Sequence, residues 1–308
     1  MRHLPALAGL LCLLGAAGAP AAPAELHADH PLNGSLWDSR SGRQVAEEAF
    51  LAEAATARWV LLGEKHDNAV HHALQARVVG ALGRAGRRLA VVWEMAEPEQ
   101  AEALQEATLE TVDGLGAALD WEARGWPAWS EYQPIAEQAL TYGLPMRPGK
   151  PSTGLVRSVS RGEPLPAEVA GRLDWSRPYP EGTEAALLEE LAESHCGALP
   201  QAALEAMLRV QRLWDAWIAD SMLGAEAAGA ILIAGSGHVR KDRAVPWHLR
   251  GAGGGGDSLT LALVEVVAGR EAPADYAAFD PRRFDFVWFT PRVDEKDPCE
   301  AFRDKPAE

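Results

Sequence analysis

Two stretches far apart in the chain share one pattern: an apolar run that stops at Gly-x-x-His. The first is Trp59-Val60-Leu61-Leu62, followed by Gly63-Glu64-Lys65-His66. The second is Ile231-Leu232-Ile233-Ala234, followed by Gly235-Ser236-Gly237-His238. A short, continuous apolar run reads as a strand buried on both faces, and such strands belong to parallel sheets. Glycine at the exit lets the backbone pass close to whatever sits there. The pattern constrains both the fold and the place of chemistry: two buried strands whose ends each present an imidazole.

The segments between these runs carry helical spacing. Val70, Leu74, Val78 and Leu82 recur every four residues and predict a helix over 68–82. Residues 45–57 and 131–142 also read as helices, and Pro98 in a first turn opens another. Leu204, Met207, Leu208, Gln211, Trp214, Asp215, Ile218 and Met222 mark one stripe of a long helix over 200–223. Short helices are expected over 152–193 and 245–249. Further strands are expected over 88–95, 144–148, 258–267 and 284–289, and 23–41 reads as polar and turn-rich. Strands alternating with helices predict an α/β fold: a mainly parallel central sheet flanked by helices, with a helical cap or insert over about 97–225. Gly251 to Gly256 do not lie between a strand and a helix, so they read as a connection and not a phosphate loop.

The ends are read separately. Leu4 to Leu14 is apolar but too short to span a bilayer, and small residues follow to Ala22. This is the pattern of a secretory signal over 1–22, with cleavage near Ala19 to Ala22. Leu11 before Cys12 argues against lipid attachment there. Beyond the signal come an N-terminal segment and helix over 23–57, the α/β domain over 58–296 and a charged tail over 297–308. Two cysteines remain, Cys196 and Cys299, and an even pair in an oxidising compartment predicts a disulfide tying the tail to the body. The chain carries 29 Lys and Arg against 44 Asp and Glu, a formal net charge of −15. That balance repels phosphate backbones and anionic lipid, and argues against nucleic-acid binding.

In an open parallel sheet, ligands bind beyond the carboxyl ends of the strands. Glu64 and His66, Glu94 and His238 all fall at such ends and are expected to share one crevice. A strand-end carboxylate could instead cap the next helix, and a lone histidine is ordinarily a hydrogen-bonded core residue. The recurrence favours a site. Two carboxylates and two imidazoles are enough donors for Zn, Mn or Co, which would activate a water. These four are the candidate metal ligands and catalytic residues. His71 and His72, on the first turn of the next helix, and Gln211 and Asp215, on the long helix, are candidates for contacting a cofactor. Asn68 reads as a helix N-cap. No Gly-x-Ser-x-Gly elbow and no Cys-x-x-Cys is present.

Taken together, Gly63-Glu64-Lys65-His66-Asp67-Asn68 with His71, His72 and Gln75, Trp93-Glu94-Met95 with Gln100, Gln211 with Trp214-Asp215, and Gly235-Ser236-Gly237-His238-Val239 with Val245-Pro246 resemble the ChaN-like haem-binding uptake proteins. That family shares a superfamily with the Tiki metalloproteases and erythromycin-esterase-like proteins. The resemblance runs from about Trp59 to Leu249. It implies an α/β fold and haem binding linked to iron acquisition, in the periplasm or at the outer membrane. It implies haem held between the protomers of a homodimer with a tyrosine on iron, for which Tyr132, Tyr142, Tyr179 and Tyr276 are the choices here, Tyr132 first among them for its place beside the Trp-rich segment. The Tiki branch implies metal-dependent peptide cleavage, mapping to His66, His238 and Glu94. One departure stands out: Leu144-Pro145-Met146-Arg147-Pro148-Gly149 lacks the asparagine the family has in this turn. Trp121, Trp126 and Trp129 read as core or as cover for a porphyrin. Haem binding is the first reading, a divalent-metal hydrolase the second, and a non-catalytic envelope protein with a vestigial site the third.

Overall fold

Eight strands form one sheet in the order β2-β1-β8-β7-β3-β6-β4-β5. The computed structural model describes residues 25–300 apart from 226, 254–257 and 298. The signal expected over 1–22 and most of the tail lie outside the described residues. The strands are β1 (Leu36–Asp38), β2 (Arg43–Val45), β3 (Trp59–Glu64), β4 (Ala90–Trp93), β5 (Met146–Pro148), β6 (Ala230–Gly235), β7 (Ser258–Glu265) and β8 (Phe286–Thr290). From β8 across to β5 every pairing is parallel, as the alternation of strands and helices predicted. Only β1, antiparallel to β8, and β2, antiparallel to β1, break the rule. Both lie in or beside a stretch read as turn-rich, and three residues are too few to show alternation.

Side chains alternate across the sheet with the period of two that strands impose. Val60, Leu62, Val91, Trp93, Ile231 and Ile233 face one side. There they meet α1 (Glu47–Ala54), α2 (Ala69–Arg84), α3 (Ala101–Glu106), α4 (Leu115–Ala118) and α5 (Trp129–Thr141). Trp59, Leu61, Val92, Leu232 and Ala234 face the other side. The long helix of that side, α9 (Gln201–Leu223), follows three shorter ones: α6 (Thr153–Ser160), α7 (Ala167–Arg172) and α8 (Thr183–Ser194). Ile218, Ala219 and Met222 of α9 cover the sheet together with Val245 and Leu249 of α10 (Val245–Gly251). A third cluster, built on Val159, Leu173, Leu213 and Ala216, holds α6 and α7 against α9. The helical stretch expected over 97–225 thus divides at β5 into two groups on opposite faces.

The strand order creates a switch point. From β3 the chain moves out to β4 and β5, returns to place β6 between β3 and β4, then continues to β7 and β8 on the far side of β3. Crevices open at the carboxyl edge where such a reversal occurs. Here the edge is formed by Glu64, Gly235 and the residue after Trp93.

Candidate functional site: an acid–base chain at the sheet edge

Register places Glu64 beside Gly235, and Trp93 beside Ile233. The two strand exits are joined, since Ser236 N–H donates to the Glu64 carbonyl at 2.9 Å. Both glycines answer a close approach. A Cβ on Gly63 would lie 2.9 Å from Ser236 Cα, and one on Gly235 would lie 2.9 Å from His66 Nε2. Asn68 caps α2, accepting from the Val70 and His71 N–H groups.

Four side chains expected in one crevice meet there. His66 Nδ1 lies 2.7 Å from Glu64 Oε1, and its Nε2 lies 3.7 Å from Glu94 Oε2. His238 Nε2 lies 3.3 Å from Glu94 Oε1 and Nδ1 lies 2.7 Å from Asp215 Oδ1. Glu94 also accepts the Gly235 N–H at 2.6 Å. Gln211 Nε2 stands 3.2 Å from His238 Nδ1. The result is an alternating chain of acids and bases, Glu64–His66–Glu94–His238–Asp215. Asp215 and Gln211 of α9 face the crevice, which the helical stripe alone left open.

Burial and opposite charge pull the protons in consistent directions. Burial opposes charge on His66, but Glu94 and Glu64 outweigh it and raise the imidazole to about 9. Burial likewise opposes charge on His238, and Glu94 and Asp215 raise it to about 10. Glu94 is held down to about 2: burial works against its charge, and His238, His66 and the Gly235 N–H prevail. Asp215 goes up because its burial outweighs His238.

The expectation of a divalent metal at Glu64, His66, Glu94 and His238 finds no support in this geometry. Among the described residues no group of three His, Cys, Asp or Glu side chains is placed to hold a metal ion. The donors face one another, each carboxylate paired with an imidazole.

The two adjacent histidines of α2 part company. His71 Nδ1 accepts the Lys65 N–H at 2.9 Å and Nε2 lies 2.8 Å from Thr290 Oγ1. Burial, with His72 and Lys65 near, pushes it down to about 3, so it ties down the β3 exit as a neutral ring outside the chain. His72 is fully buried between Glu64 (3.6 Å) and Glu131 (3.5 Å), and burial lowers its pKa. Its ring stacks on Tyr132 at 3.8 Å.

Tyr132 also stands at this site. It is 0% exposed and donates its hydroxyl to Glu64 Oε1 at 2.6 Å, so it supports the carboxylate from inside the core. Burial and Glu64 push its pKa up. Trp121 and Trp129 are core, packed on Trp93. Trp126 is half-buried and lies against His66, ring centroids 5.1 Å apart. On the other side of the crevice Trp214 lies 5.8 Å from His238. The partnership of Glu64 with Tyr132 was not foreseen; the two are far apart in sequence and no spacing marks them.

Beside His238 a groove of about 250 Å³ opens to solvent, lined by Leu191 of α8 and by Met207, Val210, Gln211 and Trp214 of α9. Lys150 Nζ lies 5.3 Å from the Trp214 ring centroid and pairs with Glu97 Oε1 at 3.0 Å. An apolar wall, a flanking imidazole and a few convergent polar groups are the ordinary makings of a ligand site. Cys196 and Cys299 are joined by a disulfide, Cα atoms 5.7 Å apart, at the turn between α8 and α9.

Fold and crevice define a doubly wound α/β protein with a candidate ligand site at its switch point. The chain belongs to the haem-binding uptake family of the Tiki superfamily, ChaN, whose sequence pattern matches residues 50–249. A solved structure described as cofacial heme binding to ChaN of Campylobacter jejuni is similar over 82% of this chain and 95% of that one, with TM-score 0.64 and 20% identity. The type III effector HopBA1 matches with TM-score 0.42 and 14% identity, over 79% of this chain and 91% of that one. No curated protein matches this chain.

Proposed function

We propose that the protein binds haem at the crevice and serves haem or iron uptake in the cell envelope. One observation carries the reading: the apolar face of α9 formed by Met207, Val210 and Trp214 runs directly to the imidazole of His238. Haem supplies a broad apolar ring, an iron that needs an axial donor and two anionic propionates. Met207, Val210, Trp214 and Leu191 would cover the ring, and the crevice imidazoles offer nitrogen donors. Family membership and the haem of the Campylobacter jejuni relative point the same way. The Cys196–Cys299 disulfide supports an oxidising compartment, the periplasm or the outer-membrane surface. The groove leaves one side open, and we propose that a second protomer closes it. Titration of the mature protein with haemin tests the reading. A saturable Soret change at micromolar haem is expected; a change that grows linearly without saturation overturns it.

A further inference from the structure

We infer that α8 is a hinged wall of the groove beside His238, and that the Cys196–Cys299 disulfide is the lock that keeps it shut. The inference holds for any ligand of the groove. Leu191 lines the groove from α8, and Met207, Val210 and Trp214 line it from α9. Moving α8 therefore widens the groove and uncovers the α9 wall.

Packing holds α8 thinly. Among its described residues Leu187 alone is buried, whereas α9 buries Leu213, Ala216, Ile218, Ala219 and Met222. The cluster around Val159, Leu173 and Leu213 binds α6 and α7 to α9, and it includes no described side chain of α8. A segment with few buried apolar contacts opens while the rest stays folded. The chain enters α8 through Gly182 at φ 80°, a left-handed turn that glycine takes without strain, and no side chain caps the first turn. That turn is the hinge.

Two ties hold the closed position. Midway along the helix, Glu190 pairs with the buried guanidinium groups of Arg240 and Arg243 at 2.8 Å each, in the loop that follows His238. The Glu190 side chain is 45% exposed, so water screens these pairs and they are weak beside a covalent link. The second tie is that link: α8 runs on to Cys196, bonded to Cys299. The segment before Cys299 is itself fastened to the sheet. The Pro291 carbonyl accepts from Asn68, and the Val293 N–H donates to Glu265 at the end of β7. The disulfide thus ties the far end of α8 to the sheet edge that carries the crevice. Both cysteines are half-buried, within reach of a soluble dithiol. The lock opens by thiol–disulfide exchange. A dithiol reductant supplies two electrons and two protons, the Sγ–Sγ bond breaks, two thiols form, and the reductant becomes a disulfide. The helix then swings on Gly182, with Glu190 left to hold it.

Peroxide footprinting of the mature protein reads the gate. Four methionines lie beyond the expected signal: Met95, Met146 and Met222 are at most 2% exposed, and Met207 lines the groove. Sulfoxide forms fastest where the thioether meets solvent. In the Cys196→Ser/Cys299→Ser double variant Met207 is expected to oxidise at least about threefold faster than in the parent, with the other three unchanged. Amide exchange followed by mass spectrometry should rise at least about tenfold over 183–194 and stay unchanged in β3 and β6. Glu190→Gln, with the disulfide kept, raises both readouts less. Met207 unchanged, or all four methionines rising together, in a double variant that keeps the parent's circular dichroism overturns the inference. So does a larger rise in Glu190→Gln than in the double variant. If the double variant does not fold, the parent treated with a dithiol takes its place, with exchange over 183–194 as the readout. Exchange unchanged there, or raised equally in β3 and β6, overturns the inference.

Discussion

Nδ1 of His238 stands 2.7 Å from Oδ1 of Asp215, so the second Gly-x-x-His is anchored on a helix and not on its own strand end. The first is anchored differently, with Glu64 two residues before His66 on the same strand exit. The repeated motif therefore delivers two unlike imidazoles. His238 is clamped from both sides and sits at the inner end of a groove; His66 is clamped from one side and half-open. Glu94 lies between them, 3.7 Å from His66 Nε2 and 3.3 Å from His238 Nε2.

That central position makes Glu94 the residue whose charge the site depends on most. Glu94→Gln leaves two buried or half-buried imidazolium groups short of a counter-charge. Removing one partner of a buried ion pair costs about 3–5 kcal/mol. Urea unfolding at neutral pH is expected to show a loss of that order with an unchanged slope. A loss below about 1 kcal/mol, the range of surface pairs, would mean that the chain is not ionised as described.

Stability is expected to peak near pH 6.5. His66 and His238 have folded pKa values of about 9 and about 10, raised from 6.5. Their contribution is complete below 6.5 and is lost as pH rises through 9 and 10. His71 and His248 go the other way: burial, with positive neighbours, holds both at about 3. Unfolding lets them take up protons below 6.5, so stability falls as pH drops from there towards 3. Glu94, held at about 2 against an ordinary 4.5, steepens the acid limb below 4.5. Each group changes the slope by at most about 1.4 kcal/mol per pH unit. Unfolding midpoints measured across this range should give a bell, with the alkaline limb flattened in His238→Gln and the acid limb in His248→Gln. A monotonic profile would contradict these assignments.

Much of this was legible in the chain, and the failures have physical reasons. The buried strands announce themselves as unbroken apolar runs, and α2 and α9 by their stripes, because burial dictates residue type at every turn. Glu64, His66, Glu94 and His238 were legible because a polar residue at the end of an apolar strand has few places to go. Two kinds of fact were hidden. Strands β1 and β2 are three residues each, too short for a period. Long-range polar pairing, such as Tyr132 with Glu64, leaves no trace in spacing. His71 and His72 differ only by a turn of about 100° along the helix, yet one ties down a loop and the other lies under the site. A count of donors likewise does not reveal that they are paired with each other.

The disulfide closes a loop of sequence separation 103 and pins the joint between α8 and α9. By loop-closure entropy such a link stabilises by up to about 4.7 kcal/mol, and typically about 2–4 kcal/mol. Cys196→Ser and Cys299→Ser should each lower the thermal midpoint by the same amount, with no further loss in the double variant. A parent protein treated with a thiol reductant should match them. Different values for the two single variants would show that one side chain contributes by packing and not through the link.

The paired glycines separate fold from site. At Gly63 a methyl group would meet backbone on both sides, Ser236 Cα at 2.9 Å and the Leu261 carbonyl at 3.2 Å. Strand β3 is paired on both edges, so nothing there can move away. Gly63→Ala is expected to lose about 1–3 kcal/mol of stability, as other overpacked positions do. At Gly235 the methyl group would press on the His66 imidazole, 2.9 Å away, a half-open side chain able to swing, and would touch Glu94 Oε2 at an ordinary 3.6 Å. Gly235→Ala should therefore fold with a loss within about 1 kcal/mol, but displace His66 from Glu64 and Glu94. Haemin titration of that variant is expected to show affinity at least about tenfold weaker, a change of about 1.4 kcal/mol. Equal stability losses in the two variants, or unchanged haem affinity in Gly235→Ala, would show that His66 does not hold the position on which the crevice depends.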